Sequence, residues 1–160
     1  MRRTRGIDQG LSSLSEGKTG LELLQQAMAG KLPTAPLLKA LGCLLVEATD
    51  GFARFELSAT EELHSPVYAL HGGVLSTLLD AAMGAAVLTT LDSAKGYSTA
   101  TLTAHLTRAI TARTGKLMIE GWVVHRGSRL VTAEGRVSDE QGRLFAHGSA
   151  TLSIIERPSS

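Results

Sequence analysis

Apolar residues recur along this chain with two different periods. Leu21, Leu24 and Met28 stand at helical spacing between Gly20 and Gly30, and a Gly-Lys-Leu-Pro stop follows. Ala35 to Leu41 reads as one further short helical turn. Cys43 to Thr49 and Phe52 to Ala59 read as strands joined by a turn at Asp50-Gly51, and a loop runs from Thr60 to Leu70. From about Gly72 to Leu91 the chain is apolar on nearly every face. That predicts a helix roughly 30 Å long at 1.5 Å per residue, wrapped by other structure rather than laid on a surface. After it the period becomes two. Ser98, Ala100, Leu102, Ala104 and Leu106 alternate with Thr99, Thr101, Thr103, His105 and Thr107. Further strands are Leu117 to His125, centred on Trp122, and Leu130 to Val137, with Val131, Ala133, Gly135 and Val137 on one face. The last runs from Leu144 to Ile155, after a turn at Asp139-Glu140-Gln141-Gly142.

Two strands, a long helix and four more strands make an α+β order. Short connections make the last four strands antiparallel. One helix cannot cover two sheet faces, but a curled sheet can wrap one helix. The organisation expected is a disordered tail over 1–18, a helical appendage over 19–41 and one domain over 42–156.

Within the long helix, from Val74 to Leu88, oxygen-bearing side chains occur only at Ser76, Thr77 and Asp80. A carboxylate that loses hydration costs several kcal/mol unless it is paired or neutralised. No basic residue lies one turn away, where Ser76, Thr77, Met83 and Gly84 stand. Asp80 therefore has a purpose or a hidden partner. Before it, His71-Gly72-Gly73 opens the helix and leaves backbone N–H groups bare, a cradle for an oxygen anion. An acid and an anion cradle on one element point to catalysis.

Composition narrows the classes. Sixteen Lys and Arg against fifteen Asp and Glu give a net charge of +1, which is no footprint for nucleic acid. The apolar run is too short for a membrane span and carries Asp80. The basic Met1-Arg2-Arg3-Thr4-Arg5 has no apolar stretch behind it and reads as tail rather than secretory signal. Cys43 is the only cysteine and sits among leucines, as a buried structural thiol, which fits a reducing, cytoplasmic compartment. His64, His71, His105, His125 and His147 never reach metal-ligand spacing with a Cys or acid, so no metal is expected.

The His71-Gly72-Gly73 start, the acid at position 80, the apolar helix and the four following strands together resemble hotdog-fold thioesterases, most closely the PaaI-like acyl-CoA thioesterases. The likeness spans about residues 35 to 155 and includes Val124-His125-Arg126-Gly127-Ser128-Arg129. It implies an antiparallel sheet wrapped around one central helix. It further implies a homo-oligomer, dimer or tetramer, with no resident cofactor, since CoA enters as part of the substrate. In that family the acid position is nucleophile or general base, which falls on Asp80. The first Gly after the His offers its N–H to the thioester carbonyl, which falls on Gly72, with Gly73 beside it. A Ser or Thr on the next strand helps place water, which falls on Ser98. His71 shapes the loop or contacts substrate. The family commonly has Asn or Gln where Ser65 stands and Gly where Tyr68 stands. These departures bear on turnover and on the acyl pocket. His125, Arg126, Gly127 and Arg129 flank a hairpin turn, where solvated charge is the default and a CoA phosphate contact the alternative. The function implied is hydrolysis of an acyl-CoA or aryl-CoA thioester. Two other readings stay open, a non-catalytic acyl-CoA sensor and a hydroxyacyl thioester dehydratase.

Overall fold

The computed structural model describes residues 17–60, 63 and 69–157. Ser65, Tyr68 and the tail over 1–16 lie outside the described residues. Two short helices, α1 (Gly20–Met28) and α2 (Pro36–Leu41), precede the strands β1 (Leu44–Thr49) and β2 (Phe52–Ser58). The long helix α3 (Gly72–Leu88) follows, and then β3 (Lys95–Leu106), β4 (Lys116–Arg126), β5 (Leu130–Asp139) and β6 (Leu144–Glu156). The strands form one antiparallel sheet in the order β1-β2-β4-β5-β6-β3, so β1 and β3 are its edges. With α3 lying on its inner face, this is the α+β arrangement the sequence predicts.

The turns form where the sequence places them. Gly51 and Gly142 take the positive φ that tight reversals require. The helix stops three residues earlier than expected, at Leu88. Thr89 and Thr90 turn their hydroxyls onto the carbonyls of Ala86 and Val87, competing with the next helical turn. A capping box at Thr19 and Glu22 starts α1. Gly20 then donates to Leu91 O at 3.0 Å, which anchors α1 to the end of α3.

Register explains how the helix comes to lie so close. Ala48, Ala53, Gly121, Gly135, Gly148 and Ala104 pair successively across all six strands. This row of Gly and Ala floors a shallow groove beneath α3. A side chain at Gly121 would collide with the backbone of Ala82 and Met83, and one at Gly135 would press on Met83 Cγ at 3.1 Å. Larger inward residues, among them Phe55, Leu57, Leu117, Ile119, Val137 and Leu152, fill the core on either side with Leu78, Leu79 and Met83. Cys43 belongs to this core, and burial pushes its thiol up to about 12. That fits an inert structural thiol.

The adjacent outward row is charged. Glu47, Arg54, Glu120, Arg136, His147 and His105 pair in the same order across the sheet. Glu120 is the buried member. Arg54 reaches it at 2.8 Å and Arg136 at 2.6 Å. Burial pushes its carboxyl up, but hydrogen bonds from Arg136 and Arg54 outweigh that and hold it below the ordinary glutamate value of 4.5.

Candidate active site

His71 is the N-cap of α3, and its Nδ1 accepts from Gly73 N–H at 3.1 Å. The N–H groups of Val74 and Leu75 turn to His71 O. Gly72 N–H has no acceptor among the described residues. It is the donor left free at the positive end of the helix, and no acid stands in the first turn to occupy it. Ser76 and Thr77 bend their hydroxyls back onto Gly72 O and Gly73 O, so neither competes for a ligand there. Gly72 is also needed for packing, since an added Cβ would lie 2.7 Å from Leu106 Cδ1.

A cleft of about 240 Å³ opens beside Gly72, lined also by Leu75, Leu106, Thr107, Arg108 and Ile110. Arg108 lies 6.0 Å over the Phe145 ring. Neither Thr107 nor Arg108 is prominent in the sequence, because both follow the last residue of a strand.

Asp80 stands on the face of α3 turned away from the groove, with Gly73, Ser76, Thr77 and Ala81, and one chain leaves it only half-buried. The desolvation expected of an acid in an apolar helix is therefore partial within one chain. Its hidden partner is Thr99, whose Oγ1 donates to Asp80 Oδ1 at 2.9 Å. Strict alternation would set Ser98, in phase with Leu102 and Leu106, on the inward face and Thr99 on the outward one. A bulge between Thr99 and Thr101 reverses the phase. Before it, Tyr97 and Thr99 pair with the inward Ile154 and Leu152. After it, Leu102 and Ala104 pair with the inward Ala150 and Gly148. Ser98 pairs with Ser153 on the outward face and is exposed. Within one chain, then, Thr99 and not Ser98 meets the acid.

Tyr97 shares the inward face with Thr99. Its ring packs over Gly84, one helical turn beyond Asp80, in the space a side chain at Gly84 would fill. Burial first, and the charge of Asp80 second, push its phenol up to about 12.

The basic hairpin sits at the other end of α3 from Gly72. Gly51 N–H donates to Thr89 Oγ1 at 2.8 Å, and Arg126 pairs with Asp50 at 2.8 Å beside it. Gly127 closes the turn by donating to Leu130 O at 3.0 Å, and His125 and Arg129 are exposed there. None of these four lines the cleft at Gly72. Among the described residues no three His, Cys, Asp or Glu side chains gather as a metal site, and no helix is long and apolar enough to cross a membrane.

Known proteins share this fold. A family model described as the Thioesterase superfamily matches residues 69–146. A solved protein from the thioesterase superfamily is 34% identical, with a TM-score of 0.67, and the match covers 86% of this chain and 99% of that one. The E. coli PaaI protein from the phenylacetic acid degradation operon is 21% identical, with a TM-score of 0.74 over 85% of this chain and 94% of its own, a likeness of fold. A Halobacterium salinarum protein named "Putative esterase" is 35% identical over 101 residues, which span 61% of this chain and 66% of that protein.

Proposed function

This chain belongs to the thioesterase superfamily and is a thioesterase, and from that premise we propose that it hydrolyses an acyl-CoA or aryl-CoA thioester to the free acid and CoA. Asp80 is the nucleophile or general base, Gly72 N–H holds the oxyanion, and the two act from different chains. The observation that carries this reading is the Asp80–Thr99 hydrogen bond on the open face of a helix whose first free donor is Gly72.

Thr99 engages Oδ1 of Asp80 and leaves Oδ2 as the reacting oxygen. In the general-base route Oδ2 takes a proton from water as its oxygen attacks the thioester carbonyl carbon. In the nucleophilic route Oδ2 attacks that carbon itself, and water hydrolyses the resulting anhydride. In both, the carbonyl oxygen gathers negative charge, and the Gly72 N–H donates a hydrogen bond to it. Collapse expels the thiolate, which leaves as CoA after taking the proton held on Asp80 in the general-base route, or one from solvent water in the nucleophilic route. His71 keeps its place by capping Gly73, so its part is to hold the loop that presents Gly72.

Distance argues for two chains. Asp80 lies eight residues beyond Gly72, about 12 Å along a helix rising 1.5 Å per residue. Nucleophile and oxyanion donor must both lie within roughly 3 to 3.5 Å of one carbonyl group. Two α3 helices packed antiparallel about a two-fold axis bring Asp80 of one beside Gly72 of the other. The free N-terminus of the partner helix then faces the carboxylate and favours its ionised form. The cleft beside Gly72 receives the thiol limb, with Arg108 at its wall. In the antiparallel pair the Arg126–Arg129 hairpin of the opposite chain comes to the same side and can meet CoA phosphates.

The test is a panel of acyl- and aryl-CoA thioesters with detection of free thiol. Wild type releases thiol from at least one class, and Asp80→Asn lowers that rate by at least about a hundredfold, the usual scale of general-base loss. A folded Asp80→Asn chain with near-wild-type turnover would sink the assignment.

A further inference from the structure

Tyr97 is the titratable group in this region that hydrolysis leaves without a task. It belongs to β3, and the bulge after Thr99 turns it inward with Thr99. Its ring crosses to α3 at Gly84, and only glycine there admits the phenol oxygen. Gly84 is four residues from Asp80, about 6 Å along the helix. Tyr97 thus packs between α3 and β3 one helical turn beyond the acid. Its hydroxyl has no hydrogen-bond partner among the described residues.

We propose that Tyr97, seated in the notch at Gly84, is the end wall of the acyl subsite. It limits this enzyme to compact acyl groups and offers a hydrogen bond to a polar atom at their far end. The inference rests on the reading of Asp80 as the reacting acid. Its physical basis is the two-chain geometry. An antiparallel partner helix lies along α3 on the N-terminal side of Asp80 and brings its own cleft for the thiol limb. The space between α3 and β3 on the C-terminal side of Asp80 is then what remains for the acyl limb, and Tyr97 ends it. A partly buried hydroxyl without a partner costs free energy that a ligand atom can recover. Burial and the nearby Asp80 charge both keep the phenol protonated, and therefore a donor, across the neutral range.

Two variants separate size from hydrogen bonding. Tyr97→Ala opens the wall and should move the optimum of kcat/KM to acyl chains several carbons longer. Tyr97→Phe should keep the wild-type length limit. In that variant the advantage of an acyl group ending in a polar atom, over its hydrocarbon isostere, should fall about tenfold, the scale of one hydrogen bond. Binding of non-hydrolysable acyl-CoA thioethers, followed by calorimetry, reads the same length profile without turnover. If wild type binds these with a profile that Tyr97→Ala shifts but hydrolyses no thioester, the catalytic reading fails and the end wall stands. If folded Tyr97→Ala keeps the wild-type length profile in both assays, the wall is overturned. Equal polar discrimination in Tyr97→Phe and wild type overturns the hydrogen bond.

Discussion

Among the described residues one donor reaches Asp80, the Thr99 hydroxyl, and it sets which carboxylate oxygen is left to react. A hydrogen bond to a charged group is worth about 1.5 to 3 kcal/mol, so Thr99→Val should lower kcat about 10- to 100-fold if the bond holds Oδ2 in its working direction. Ser98→Ala, on the outward face, should cost far less. The reverse order in steady-state rates would return the role to Ser98. The acid and the cradle were legible in the sequence because both are local signals: a lone carboxylate in an apolar run, and glycines before a helix. The partner was not, because it depends on strand phase. Ser98, Thr99, Thr101 and Thr103 suit a strand equally well on either face, so nothing in them marks the one-residue bulge that exchanges inside for outside. Gly84 carried a weaker hint, since a glycine inside a helix often marks a close approach. What approaches it, Tyr97, took the fold to reveal.

The sheet and α3 are matched along two neighbouring cross-strand rows, one of Gly and Ala beneath the helix and one of charge on the outer surface. The order of elements could be read from period and turn residues, but these rows depend on register among strands distant in the chain. Gly121→Ala puts a methyl group against the backbone of Ala82 and Met83, which cannot swing aside. It should destabilise the fold by about 1 to 3 kcal/mol or more, read as a lower urea midpoint, because overpacking forces the elements apart. Wild-type stability in Gly121→Ala would mean that α3 does not lie as close as described. On the outer row, Glu120 has its carboxyl held below its unfolded value. A depressed acid contributes stability that is fully present above the unfolded pKa near 4.5 and lost as pH falls through the lower folded value. Glu120→Gln should therefore flatten the acid limb of a stability-versus-pH curve. An unchanged acid limb would show that other carboxylates dominate it.

On the proposed mechanism, one chain alone leaves the chemistry unfinished. β3 is an edge strand of twelve residues, Leu102 and Leu106 on its inward face remain exposed, and the Asp80 face of α3 is only half covered. Long exposed edges invite pairing with a second copy. The same two-fold pairing would set Asp80 opposite the partner's free helix N-terminus. The proposed chemistry requires that Asp80 and Gly72 act from separate chains, and complementation tests this directly. One chain carries Asp80→Asn. The other carries Gly72→Pro, which removes the N–H while keeping a residue that the first helical position tolerates, once Leu106 Cδ1 shifts. Each variant alone should be inactive as a homodimer. Verified mixed dimers should recover thioester hydrolysis up to about one working site of the two that a two-fold dimer holds. Mixed dimers that stay as inactive as either parent, or a monomer with full activity, would contradict the shared site.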